Sequence, residues 1–511
     1  MSSRHGSAAA LSGAALLSLS ALSTTASAAT YQVGPSGDYP DIQSLLAATS
    51  LSPGDVVEVE GDHLYPGDLW LREEANGSAD APVTIRGIRK NGKRPTLEGV
   101  GTEQWHDMVL FLAAHYLVFE GFEIIGDDLE HPCIVTQANE IVVRDVYVHG
   151  CTGHGLLATD YGTGNLTIEH SEFTNNGGGD RRHQIYVTTD QELFPGSRVR
   201  IQFNYVHDAA GGHNLKSRAE RTEVYFNWLE NPVYNSMDLI GPDATADAAR
   251  EDSDVVGNVI IHPGPWAAAR IGDDGTKGTD GRYRFAYNTF VFGDSDAVAI
   301  RPQVNIESLE LYNNAFISQG GAAPRLMHLT DYTGTEPIVM GSHNYIASEL
   351  SQVPPELTDT LSGDPGVMDL ASLDLRPKEG SALIDAGTTE TVGPMNATPL
   401  PLTMVDYVPP PRVEPTAGMP YDRNDEGTPD IGAYAFGSGT EPGPGGPPPT
   451  GQGGSGPGGT GSGAGSGSGS GGNGAEQDGG CSFQPGSASE VGGLWATLLL
   501  GLGLLRRRRE S

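Results

Sequence analysis

The chain has 511 residues, of which 30 are Lys or Arg and 65 are Asp or Glu, for a formal charge of -35. So acidic a chain excludes a nucleic-acid binder, which needs a basic face to neutralise phosphates, and electrostatic docking on anionic lipid. Three cysteines are too few for a disulfide scaffold, and 37% hydrophobic residues suffice for a core once the Gly-rich part is set aside.

Arg4 and His5 precede an apolar run from Ala8 to Leu22, and Ala26-Ser27-Ala28 places small residues before Ala29. This predicts a secretory signal peptide over 1–29 with an A-x-A cleavage site. The alternative, a buried N-terminal helix, lacks the alternating faces of a soluble helix.

From residue 117 onward, short β-rich segments recur. They are Leu117-Val-Phe-Glu-Gly-Phe, Ile141-Val-Val-Arg-Asp-Val, Leu166-Thr-Ile-Glu-His-Ser and Val199-Arg-Ile-Gln-Phe-Asn. Thr222-Glu-Val-Tyr-Phe-Asn, Ser253-Asp-Val-Val-Gly-Asn, Tyr283-Arg-Phe-Ala-Tyr-Asn and Leu309-Glu-Leu-Tyr-Asn-Asn continue the series. Their apolar third residues (Phe119, Val143, Ile168, Ile201, Val224, Val255, Phe285 and Leu311) are spaced 24, 25, 33, 23, 31, 30 and 26 apart. A period in the twenties to low thirties is that of a solenoid. The segments alternate at period two, so each is a strand, and a coil this short has no room for a crossover helix. The expectation is parallel strands stacked about 4.8 Å apart. Asn204, Asn227, Asn258, Asn288 and Asn314 end five successive segments, where stacked amides hydrogen-bond up the array and tolerate the left-handed turn of each coil.

The second strand of each coil, following the Asn turn, is expected to carry the candidate site. The stretches are His154-Gly-Leu-Leu-Ala, His183-Gln-Ile-Tyr-Val, His213-Asn-Leu-Lys-Ser-Arg, Asn235-Ser-Met-Asp-Leu, Ala267-Ala-Ala-Arg-Ile and Pro324-Arg-Leu-Met-His. With Leu156, Ile185, Leu215, Met237 and Ala269 inward, Leu157, Tyr186, Lys216, Asp238 and Arg270 face outward in one column. Arg218 faces the same way, and His154, His183 and His213 form a column of their own. Two readings stand for Lys216, Asp238 and Arg270: a functional surface, or an exposed ladder of ion pairs that stabilises little. For the histidines the choice is a polar stack at turns or a metal site, whose ligands usually sit closer together. Asp243, Asp247, Glu251, Asp252 and Asp254 follow in a long insertion, where carboxylates are candidates to hold Ca²⁺; no EF-hand spacing is present. Cys133 and Cys151, 18 apart, are either a disulfide between adjacent coils or two buried thiols.

These features together resemble the right-handed parallel β-helix proteins, a class rich in polysaccharide lyases and glycoside hydrolases. Tyr31-Gln-Val-Gly-Pro-Ser-Gly, Asp41-Ile-Gln-Ser-Leu-Leu and Ser52-Pro-Gly-Asp-Val-Val-Glu-Val look like the N-terminal cap of that fold, with its short helix. Leu373-Asp-Leu-Arg-Pro-Lys-Glu-Gly-Ser-Ala-Leu-Ile-Asp-Ala-Gly and Pro429-Asp-Ile-Gly-Ala-Tyr resemble its closing segments. The resemblance implies an all-β, single-stranded β-helix domain over 30–436. Lys216-Ser217 with downstream Asn227 is similar to β-helix alginate and chondroitin lyases, which implies Lys216 as a base. Where that family has an Arg-His-Gly segment, this chain has Met237-Asp-Leu-Ile-Gly-Pro-Asp, so Arg270 would have to substitute. Gly153-His-Gly resembles a motif of β-helix polygalacturonases, but the paired aspartates of hydrolysis are not evident in that register.

Residues 437–480, nearly all Gly, Ser, Pro and Thr, predict a flexible linker. Gly479-Gly480-Cys481, the apolar run Val491 to Leu505 and Arg506-Arg507-Arg508-Arg509 make up a tail over 481–511. It closely resembles the myxobacterial C-terminal sorting signals. That resemblance implies a dedicated sorting protease and Cys481 as the modified, lipid-bearing residue. The alternative is an ordinary membrane anchor oriented by its arginines. Either way the body is exported, touching a membrane only through this anchor.

Two functions follow. One is β-elimination on a uronic-acid polymer: Lys216 the base, Arg218 or Arg270 the carboxylate clamp, Tyr186 or His213 the proton donor, with Asp238, His183 and His154 contacting substrate. Arg218 and Arg270 would lower the Lys216 pKa and Asp238 would raise it. The other is a non-catalytic surface protein binding matrix carbohydrate. Neither requires a resident cofactor beyond the candidate Ca²⁺.

Overall fold

The computed structural model describes residues 28–100, 108–126, 131–241, 250–273, 279–303, 305–328, 338–412, 421–425 and 427–438. The apolar N-terminal run, the linker beyond 438, Cys481 and its tail, and Asp243 and Asp247 lie outside the described residues. Among the described residues no helix is long and apolar enough to cross a membrane.

The strands stack into three parallel sheets of 13, 11 and 10 strands. The chain visits them in turn, so each coil adds one rung to each sheet, and about ten coils make a single all-β solenoid. The inward residues of the first sheet pair as one column, Val57–Ile85–Phe119–Val143–Ile168–Ile201–Val224–Val255–Phe285–Leu311. All ten are buried in one continuous core. Burying side chains of this size stabilises by roughly 1.5–3 kcal/mol each. The one described α-helix, Ile42–Ala48, begins at Asp41, whose Oδ1 accepts from the Ser44 N–H at 2.7 Å, and places Ile42 and Leu45 in the same core.

The asparagines form a buried ladder between the first and second sheets. Each amide donates to the next side-chain oxygen at 2.9–3.0 Å from Asn204 through Asn227, Asn258, Asn288 and Asn314, and Asn344 adds a further rung. Each also donates to a strand carbonyl. The left-handed turn conformation falls on the preceding residue, not on the Asn: Phe203, Phe226, Gly257, Tyr287, Asn313 and His343 have φ between 55° and 67°. Such a conformation costs a non-Gly residue of order 1–3 kcal/mol, and the hydrogen bonds that follow offset it. Short strands such as Tyr205–His207 and Trp228–Glu230 come directly after these turns. The strands carrying Lys216, Asp238 and Arg270 are therefore the third of each coil rather than the second.

Residues 388–412 lie over the outer face of the first sheet. Arg284 pairs with Asp254 and Arg282 with Glu310, each at 2.7 Å, and both pairs are buried. Their remaining guanidinium N–H groups donate to the carbonyls of Thr403 and Thr398. Tyr287 and Tyr312 hydroxyls donate to the carbonyls of Thr388 and Val392. Cys133 and Cys151, on adjacent coils, form a disulfide.

Candidate active site

The third sheet carries the site on its outer face. Its ten strands run from Leu69–Leu71 to Arg325–Met327. The strand Ile185–Thr188 pairs Tyr186 with Lys216, Leu215–Arg218 pairs Lys216 with Asp238, and Met237–Ile240 pairs Asp238 with Arg270. Leu156, Ile185, Leu215, Met237 and Ala269 point into the core on the same rungs. The column continues to Arg301, which pairs with Arg270 from the strand Val298–Pro302. The sequence signal for Arg301 is the repeat of Ala267-Ala-Ala-Arg as Val298-Ala-Ile-Arg. In the other direction the column is apolar: Leu157, Val135, Phe111 and Trp70. Eight steps of about 4.8 Å make a track about 38 Å long.

Asp238 is the hub of the charged half, and it is fully buried. Arg270 donates to its two oxygens through Nε at 2.5 Å and Nη2 at 2.7 Å. His213 Nε2 stands 3.5 Å away and Lys216 Nζ 3.9 Å away. Burial pushes this carboxyl up, but Arg270, then His213 and Lys216, hold it well below the usual carboxylate range. The side chains of Lys216 and Arg270 keep 14% and 25% exposure. Lys216 Nζ also lies 5.2 Å from the centre of the Tyr186 ring. Arg218 pairs with Thr188 and is only 5% exposed. Its Nε donates to the Tyr186 hydroxyl at 3.2 Å, and its Nη1 to the carbonyl of Gly241.

The histidines form a rail at the start of these strands. His154 Nδ1 accepts the main-chain N–H of His183 at 3.0 Å, His183 Nδ1 that of His213 at 3.0 Å, and His213 Nδ1 that of Asn235 at 3.1 Å. Asn235 Oδ1 then accepts from the Ala267 N–H at 3.1 Å. Each Nδ1 is an acceptor, so each neutral ring carries its proton on Nε2. Burial disfavours the imidazolium form throughout: His154 drops to about 3 and His213 to about 4, and His183 falls well below its ordinary value. Gly212 (φ 62°) is required here, because a Cβ would stand 2.3 Å from His183 Nδ1.

Glu251, Asp252 and Asp254 belong to the first-sheet side of the coil, where Asp252 and Asp254 pair with Arg250 and Arg284. Among the described residues no group of three or more His, Cys, Asp or Glu is arranged to hold a metal ion.

The three parallel sheets wound on one core give the chain a parallel β-helix fold. No protein-family model matches the chain, and no curated protein matches it in sequence. Solved structures do match it. The pectate lyase Pel9A is 12% identical, covering 80% of this chain and 97% of its own, with a TM-score of 0.47. The A-module of the mannuronan C-5 epimerase AlgE4 of Azotobacter vinelandii is 10% identical over 60% of this chain and 87% of its own, with a TM-score of 0.41. The PL6 family polysaccharide lyase Pedsa3628 of Pseudopedobacter saltans is 14% identical over 68% and 96%, with a TM-score of 0.41.

Proposed function

We propose that the outer face of the third sheet binds a uronic-acid polysaccharide and cleaves it by β-elimination. The observation that carries this reading is the register Tyr186–Lys216–Asp238–Arg270. It sets a primary amine one rung from an aromatic side chain and two rungs from a guanidinium that the intervening carboxylate holds.

In the reaction, Lys216 Nζ in its neutral form takes the C5 proton of a uronate. The electron pair of that C–H bond becomes the C4–C5 double bond, and the C4–O4 bond breaks. Arg270 pairs with the uronate carboxylate and stabilises the charge that develops on it in the transition state. The Tyr186 hydroxyl or His213 Nε2–H gives the leaving O4 its proton. Arg218, enclosed against Tyr186 and Gly241, orients the hydroxyl and leaves Arg270 as the clamp. Asp238, His183 and His154 act as positioning residues: Asp238 holds Arg270, and the histidines hold the strand starts in register.

A second reading, a non-catalytic surface protein that holds matrix carbohydrate on the same track, is favoured by one observation. Asp238 already occupies Arg270 with both oxygens, which weakens its pull on a second carboxylate. The test is to incubate the full-length protein with alginate, polygalacturonate and chondroitin and follow the ultraviolet absorbance of new unsaturated ends. The elimination reading expects absorbance with at least one polymer, lost in Lys216→Ala and in Lys216→Arg, whose guanidinium stays protonated. Binding without absorbance on all three supports the second reading. Both readings place the body in an exported compartment, and the Cys133–Cys151 disulfide supports that placement, because such bonds persist in oxidising compartments. Within this proposal the N-terminal run directs export, and a sorting protease acts at Cys481 to leave the body on the cell surface.

A further inference from the structure

Beside the charged column, one corner of the solenoid turns two aromatic rings outward. Tyr234 and Trp266 occupy equivalent positions on consecutive rungs. The residue after the first, Asn235, accepts the main-chain N–H of the residue after the second, Ala267. Their ring centres are 5.2 Å apart at 60°. Trp266 is 44% exposed, which is unusual for so large an apolar group, and Tyr234 is partly exposed. At the same corner, Gly212 precedes the pair, with its carbonyl accepting from the Tyr234 N–H. Ala297 follows it, since the Val298 N–H donates to the Trp266 carbonyl. Small residues thus flank the rings, which stand out as a short shelf.

The shelf is built rather than incidental. Trp266 sits in the turn Pro263-Gly264-Pro265-Trp266. The fully buried His262 holds that turn: its Nε2 donates to the Trp266 carbonyl at 2.9 Å, while its Nδ1 bonds the Ser236 hydroxyl at 3.0 Å. The shelf is also continuous with the charged column. Tyr234 packs edge-on against His213 at 6.2 Å, and His213 faces Asp238, the anchor of Arg270. Trp266 lies four residues before Arg270, about 13 Å along the strand direction.

We propose that Tyr234 and Trp266 form a sugar-stacking subsite that takes a pyranose ring of the polysaccharide whose uronate groups lie on the Lys216–Arg270 column. A pyranose has one face of C–H groups. An indole held rigidly at a wet surface is suited to cover that face, losing little side-chain entropy in doing so. The inference rests on the polysaccharide reading above and adds the wall against which the chain is held.

The experiment measures binding of alginate, polygalacturonate and chondroitin to the full-length protein by affinity electrophoresis, at low salt and at 0.5 M NaCl. Salt at that level screens the exposed cationic contribution and leaves stacking in place. Trp266→Ala is expected to weaken binding of whichever polymer the parent holds by about ten-fold at both salts, and Trp266→Phe by less. Trp266→Ala binding within two-fold of the parent, on a polymer the parent holds, overturns the subsite and leaves the polysaccharide reading intact. A parent that holds none of the three polymers overturns that reading, and the subsite with it. Trp266 is exposed, so both variants are expected to melt with the parent.

Discussion

Asp238→Asn isolates the buried hub of the site. The substitution keeps shape and volume but replaces a carboxylate that accepts two guanidinium N–H groups, at 2.5 and 2.7 Å. The amide has a single acceptor oxygen and turns an N–H₂ group toward a cation. Hydrogen bonds to charged groups contribute about 1.5–3 kcal/mol each, and breaking a buried pair from one side costs about 3–5 kcal/mol. Arg270 retains a quarter of its exposure and regains some water, so the expected loss at neutral pH is near the low end, about 3 kcal/mol. The pH dependence has a definite sign. The folded Asp238 carboxyl is held low, so its contribution is present above the unfolded value of about 3.9 and fades as pH falls from there toward the folded value. Urea unfolding of parent and variant, followed by circular dichroism at pH 7 and again below pH 4, reads both effects. The gap is expected to be large at pH 7 and to narrow in acid. Adding Arg270→Gln to Asp238→Asn is expected to recover part of the loss, since the orphaned cation is gone. A gap under about 1 kcal/mol at pH 7, or one unchanged by acid, refutes the hub.

Three further outcomes are expected. Asn258→Ala removes the oxygen that accepts from both the Asn227 main chain and its side chain; two buried donors are orphaned, and a loss of about 2–6 kcal/mol is measurable by urea unfolding. Acid weakens the histidine rail: unfolded imidazoles titrate near 6.5, whereas His213 is at about 4 when folded. Stability is therefore full above pH 6.5 and lost as pH falls to about 4, by about 3 kcal/mol for this residue. His213→Asn, which copies the acceptor that Asn235 provides one rung on, should flatten that acid limb in a melting-temperature series. Cys133→Ser with Cys151→Ser opens an 18-residue loop and should cost about 3 kcal/mol, seen as the same unfolding shift that a reductant produces in the parent.

The register of the third sheet was legible because it follows from one rule. Inward residues are apolar and alternate with outward ones, so choosing Leu215 and Met237 as core sets Lys216 and Asp238 outside. What the pattern does not carry is depth. Asp238 faces outward by register yet has no exposure, because Arg270, His213 and Lys216 close over it. The second-sheet strands leave no mark in the sequence, since a three-residue strand such as Trp228–Glu230 is too short to show a period. The left-handed residue lies one position before the Asn and is not marked by residue type, because Phe203 and Tyr287 adopt that conformation against their own preference. The platform of Tyr234 and Trp266 spans only two rungs, too few to show as a repeat, since the column continues as Gly212 on one side and Ala297 on the other.

The segment 388–412 ties positions that lie far apart along the chain: Arg221 donates to Pro401, 180 residues away, and Arg412 to Glu230, 182 away. A bare solenoid has only neighbour-to-neighbour contacts and can fray one repeat at a time. Here the middle coils are laced to a late part of the chain, so they are completed only after that part has been made. Such long loop closures slow folding, and in return the laced coils open together or not at all, protecting the stretch that holds Lys216 and Arg270 against piecemeal unravelling.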